Sequence, residues 1–76
     1  MNRIPEELMG CDREEISDLI DRWVIFRRHS ERNREILKRS MLDGICFEPL
    51  AEEFGLSVRQ TKDIVYKSQE QLFRHL

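Results

Sequence analysis

Gly55 constrains this chain more than any other residue, because it marks a tight turn between a short apolar-patterned run and a longer one opened by Ser57. The stretch reads Phe47-Glu-Pro-Leu-Ala-Glu-Glu-Phe-Gly-Leu-Ser-Val-Arg-Gln-Thr-Lys-Asp-Ile-Val-Tyr66. Counted from Phe47, the inward-facing slots of a helix-turn-helix are places 4, 5, 8, 10, 15 and 18, and they hold Leu50, Ala51, Phe54, Leu56, Thr61 and Ile64. Gly55 stands at the ninth place, where the chain must reverse and a positive φ is tolerated without a Cβ penalty. The small Ala51 lets the two helices cross closely. On the second helix the outward positions are Arg59, Gln60, Lys62, Asp63, Tyr66 and Lys67.

Two further helical patterns precede this stretch, making four helices in all. Asp12-Arg-Glu-Glu15 has the form of a capping box and starts a helix expected to run to about Arg28. Ile16, Leu19, Ile20, Trp23 and Val24 recur at three- and four-residue steps, and Phe26 widens that stripe. Plain core packing is the expected role of Trp23 and Phe26. Ser30 is placed to cap a second helix from about Glu31 to Leu42, on which Ile36, Leu37, Ser40 and Met41 share a face. Glu35 and Arg39 can pair one turn apart on its exposed side. Asp43-Gly44 ends it, and a third helix begins around Glu48 with Pro49 in the first turn. Ser57 caps the fourth helix, whose buried side is expected to hold Val58, Thr61, Ile64, Val65, Ser68 and Leu72. Phe73 and Leu76 either pack back on the first helix or make an apolar dimer seam, and the first is preferred.

At 76 residues this is one domain without room for a second core. The expected class is all-α, a compact four-helix bundle containing a helix-turn-helix without a wing. Residues 1–11 are expected to be a flexible segment, 12–28 an amphipathic helix and 31–76 the helix-turn-helix unit. No run approaches a transmembrane span and the N-terminus lacks the plan of a signal peptide, so a cytoplasmic protein is expected. Cys11 and Cys46 have no CxxC spacing and no neighbouring His, which fits reduced, partly buried thiols better than zinc ligands.

The formal charge of −2 conceals a division. Acids dominate residues 1–21, while 22–40 hold Arg22, Arg27, Arg28, Arg32, Arg34, Lys38 and Arg39 against Glu31 and Glu35. Residues 41–56 carry four acids and no base, and 57–76 return to four bases against two acids. Opposite segments can simply pair on solvated helix faces. Alternatively, the bases of the middle and last segments converge on one face for a phosphate backbone.

Residues 31–72 resemble region 4 of the sigma-70 family of transcription initiation factors. The resemblance lies in Glu31-Arg-Asn-Arg-Glu-Ile-Leu37, in Asp43-Gly44, in Leu50-Ala-Glu-Glu-Phe-Gly-Leu-Ser57 and in Lys62-Asp-Ile64. The overall layout is similar to small phage-encoded sigma-like proteins. The resemblance implies duplex DNA as partner, with RNA polymerase and a second copy of the chain as further ones. By match, Arg59, Lys62 and Asp63 would face bases, and Gln60 and Lys67 would reach phosphates or base edges. Arg32 matches a basic position that approaches the DNA, and Lys38 and Ser57 would hold the backbone. Val58, Thr61 and Cys46 depart from the usual residues at their positions. The promoter-melting region of a sigma factor is absent from these 76 residues, so a stand-alone reader is expected.

An enzyme is not expected. His29 and His75 are the only histidines, each read as lying near a helix end where a cation suits the dipole. The sequence has no nucleophile–base grouping, phosphate loop or metal-ligand spacing, so no cofactor is expected. Two functions follow: DNA binding in transcription regulation with helix 57–72 in the major groove, or a helix-turn-helix scaffold for protein contact. Acids interrupting the basic face would favour the second.

Overall fold

The computed structural model describes residues 10–75, and all of the regular structure among them is helical. Four helices follow in order: α1 (Arg13–Trp23), α2 (Ser30–Met41), α3 (Phe47–Phe54) and α4 (Val58–Phe73). Most of the expected segment 1–11 and residue Leu76 lie outside the described residues. No helix among the described residues is long and apolar enough to cross a membrane.

α1 opens as its sequence requires. Asp12 Oδ1 accepts the Glu15 N–H at 2.8 Å, and Glu14 and Glu15 place negative charge at the positive end of the helix dipole. Ile16 and Ile20 are buried. The helix stops at Trp23, five residues before the expected end, with Val24 extended at φ −91° and ψ 99°. The reason is tertiary. Val24 turns fully into the core, and its carbonyl accepts from Arg34 Nη1 at 3.0 Å. The Ile25 N–H donates to Gln71 Oε1 on α4 at 2.8 Å. Side chains of α2 and α4 thus satisfy backbone groups that a longer helix would have satisfied itself.

Ser30 also departs from expectation. It is the first residue of α2 rather than its cap, and its hydroxyl points backwards. There it accepts from the Phe26 N–H at 2.8 Å and donates to the Phe26 carbonyl at 2.7 Å. His29 occupies the cap position in the left-handed region (φ 59°, ψ 33°) without a side-chain capping bond. A charge on His29 would therefore face the positive end of the α2 dipole, the reverse of the sequence reading.

α2 and α4 each pack against all three other helices and together form the spine of the fold. α2 buries Ile36, Leu37, Ser40 and Met41 as expected, and Asn33 in addition. Its C-terminus is covered from α1, where Arg13 Nη1 donates to the Leu42 carbonyl at 3.3 Å and the guanidinium pairs with Asp43. α1, α2, α3 and α4 close one core around Ile20, Val24, Ile36, Leu37, Leu50, Val65 and Leu72, all fully buried. Trp23 and Phe26 pack against this cluster, in line with a core role. The far end of α4 returns to α1 through His75, whose ring stacks on Trp23 at 4.0 Å between centroids. Phe73, expected to pack back on α1, is exposed.

Candidate nucleic-acid interface

The corner between α3 and α4 is built by backbone hydrogen bonds that only a left-handed residue permits. Gly55 has φ 68° and ψ 32°. Its N–H donates to the Glu52 carbonyl at 3.3 Å, and the Leu56 N–H reaches the Ala51 carbonyl at 2.9 Å. These two bonds form a Schellman motif and close the last turn of α3. A Cβ on Gly55 would meet no atom within 4 Å, so glycine is needed for its dihedral angles and not for space. Of the six inward slots, Leu50, Ala51 and Thr61 are buried and Phe54, Leu56 and Ile64 are half-buried against the core. The polar Thr61 is tolerated there because its hydroxyl donates to the Ser57 carbonyl at 3.0 Å.

α4 starts with a reciprocal capping box. The Gln60 N–H donates to Ser57 Oγ at 3.0 Å, and the Ser57 N–H donates to Gln60 Oε1 at 2.9 Å. Two residues expected at the interface thereby serve first to fix the start of the helix. Beyond them Arg59, Lys62, Asp63, Tyr66 and Lys67 are all exposed, and their three- and four-residue spacing makes a continuous strip. No carboxylate lies within ion-pair distance of Arg59, Lys62 or Lys67 among the described residues. The strip is not purely cationic. Asp63 lies in it, followed by Glu70, which Arg74 neutralises at 2.8 Å.

Lys62 and Tyr66 border a groove of about 410 Å³ between the start of α4 and the α2–α3 connection. The Lys62 ammonium stands 5.9 Å from the centroid of the Phe47 ring, and Tyr66 meets Phe47 edge-on at 6.0 Å. This aromatic bracket limits the swing of Lys62. Cys46 lines the same groove and is exposed, whereas Cys11 is half-buried, so the expectation of partial burial holds only for Cys11. Among the described residues no group of three or more His, Cys, Asp or Glu side chains is placed to hold a metal.

The bases of α2 divide. Lys38 Nζ sits 2.7 Å from Asp21 Oδ1 on α1, and Arg34 approaches the same carboxylate at 3.9 Å. Arg39 lies 2.6 Å from Glu53 on α3 and 3.7 Å from Glu35, the pair foreseen along α2. Lys38, expected to hold the DNA backbone, is thus paired with a carboxylate of α1. Arg32 is half-buried on the first turn of α2, where its Nε donates to Asn33 Oδ1 at 3.1 Å and its remaining guanidinium donors have no partner among the described residues. The exposed acids of α3, Glu48 and Glu52, have no basic partner among the described residues.

Sequence reasoning counted Arg27 and Arg28 only within the basic segment 22–40, placed them at the end of the first helix and did not single them out as site residues. Both are exposed in the α1–α2 loop with no carboxylate at ion-pair distance among the described residues. The signal for them was the run Arg27-Arg28-His29, which has no acid before Glu31. Comparison of the chain with protein-family models, with curated proteins and with solved structures returns no significant match.

Proposed function

We propose that this chain is a helix-turn-helix protein that binds duplex DNA in transcription regulation, with α4 in the major groove. One observation carries the reading. The exposed flank of α4, aimed by the Gly55 corner and a complete capping box, bears Arg59, Lys62 and Lys67 with no carboxylate committed to them among the described residues. Among the other described bases Arg13, Arg34, Lys38, Arg39 and Arg74 are in ion pairs, so Arg59, Lys62 and Lys67 belong to the cations left over for a partner. Arg59 and Lys62, in the first two turns, reach base edges, and Asp63 between them accepts from a cytosine amino group. Lys67 and Arg32 contact phosphates. The similarity of residues 31–72 to sigma-70 region 4 supports the same assignment, with RNA polymerase as a second partner in a bacterial or phage setting. A single module of this kind binds weakly, and self-association or polymerase contact would raise its affinity.

Selection from a random duplex library, followed by binding at two salt concentrations, tests the reading. A recovered motif and a steep negative log–log salt slope, about −0.9 for each neutralised phosphate, are expected. No enrichment with a slope near zero would overturn it.

A second reading has its own support. Glu48 and Glu52 face solvent on α3, the helix that would cross the phosphate backbone, and the groove under Lys62 is lined by Phe47 and Tyr66. Acidic and aromatic surface of this kind suits a protein partner. Phe47→Ala would then abolish partner binding while Arg59→Ala leaves it unchanged.

A further inference from the structure

Residues 24–29 have no regular structure, yet their backbone is braced at several points. Arg34 holds the Val24 carbonyl, Gln71 holds the Ile25 N–H, and the Ser30 hydroxyl holds both polar groups of Phe26. Val24 is fully buried and Phe26 half-buried, and these anchor the loop from beneath. The next three residues, Arg27, Arg28 and His29, stand exposed on this braced support. Glu31 is the carboxylate nearest to them in sequence, and Asp21, at the end of α1, is engaged by Lys38 and Arg34. The loop thus presents two guanidinium groups whose backbone needs little ordering on binding.

Its position relative to α4 is informative. Gln71, which anchors Ile25, lies one turn beyond Lys67 on the same side of α4. Gln71 ends the row of four-residue steps Arg59, Asp63, Lys67 and Gln71, so the loop meets α4 at the far end of that row. We propose that Arg27 and Arg28, together with Lys67, form a clamp for the phosphate backbone of a DNA duplex, at the opposite end of α4 from its base-reading turns. This rests on the DNA-binding reading above. Along the row from Arg59 to Gln71 the helix advances about 18 Å at roughly 1.5 Å per residue. That exceeds the roughly 12 Å width of the major groove, so the clamp lies over the bordering strand when the first turns of α4 lie inside the groove. Phosphate contacts of this kind fix register and affinity without selecting sequence.

The test compares the full chain with the Arg27→Ala/Arg28→Ala double variant on the selected duplex and on a random-sequence duplex, across a salt series. Affinity is expected to fall by the same factor on both, with the log–log slope reduced in magnitude by about 1.8 and base preference unchanged. The Arg27→Lys/Arg28→Lys variant should restore the slope, which separates lost charge from lost fold. A wild type that binds and a double variant that matches it in affinity and slope would overturn the clamp alone. A wild type that binds neither duplex would overturn both the clamp and the reading beneath it.

Discussion

The Lys38 ammonium lies 2.7 Å from the Asp21 carboxylate, and this contact ties α2 to α1 on the side away from the α3 pairing. Arg39, the next residue, faces the other way to Glu53 on α3. Adjacent cations on α2 thus hold two different helices in place. Lys38→Ala should leave DNA affinity unchanged. Both partners remain partly hydrated, so the stability loss should stay below about 1 kcal/mol. Urea denaturation beside a binding titration checks both halves, and a large loss of affinity would return Lys38 to the interface.

Arg59→Ala or Lys62→Ala is expected to cost about 1–3 kcal/mol at a selected site and to relax preference at one or two base positions. Lys67→Ala should weaken all sequences alike. Competition binding on single-base variants of the site distinguishes these patterns. Equal losses from all three substitutions on every sequence would mean that α4 contacts only phosphates.

Gly55→Ala should destabilise the fold by about 1–2 kcal/mol, because an L-residue is forced into the left-handed region. The space around Gly55 is open, so Gly55→Asn, which tolerates that region, should lose less than the alanine variant. Thermal melts of the two variants read the difference. Equal losses would point to packing rather than backbone conformation.

The capping box makes a separable prediction. Ser57→Ala removes an acceptor from the first turn of α4 and should cost about 1 kcal/mol, within the usual range for N-caps. Gln60→Ala removes the reciprocal bond and should also lower stability, with little change in base preference. A Gln60 variant of unchanged stability and altered preference would make Gln60 a reader instead.

The two thiols should differ in reactivity. Cys46 is exposed, while the Cys11 thiol is raised above its ordinary pKa, chiefly by desolvation and further by the adjacent Glu15 and Asp12 carboxylates. A raised pKa leaves less thiolate at pH 8. Timed alkylation with iodoacetamide, read by mass spectrometry, should label Cys46 first, and raising the pH should narrow the gap. Faster labelling of Cys11 would contradict the burial found for it.

The helix-turn-helix was legible in the sequence because its signals are local. Gly55, Ser57 and Gln60 act within one turn of themselves, and the inward slots repeat at helical spacing, so burial of Leu50, Ala51 and Thr61 followed from order along the chain alone. The exposure of Arg59, Lys62 and Lys67 followed for the same reason. What tertiary structure alone decided involves partners distant in sequence. α1 ends at Trp23 because Arg34 and Gln71, 10 and 46 positions away from their partners, take up the backbone groups of Val24 and Ile25. Lys38 pairs with Asp21 across a helix packing that periodicity cannot orient. Arg27 and Arg28 stand exposed in the loop whose Ile25 is anchored on Gln71 of α4. Helical periodicity specifies which side of a helix is apolar, but not which neighbour it meets, and the pairing of charges depends on the neighbour.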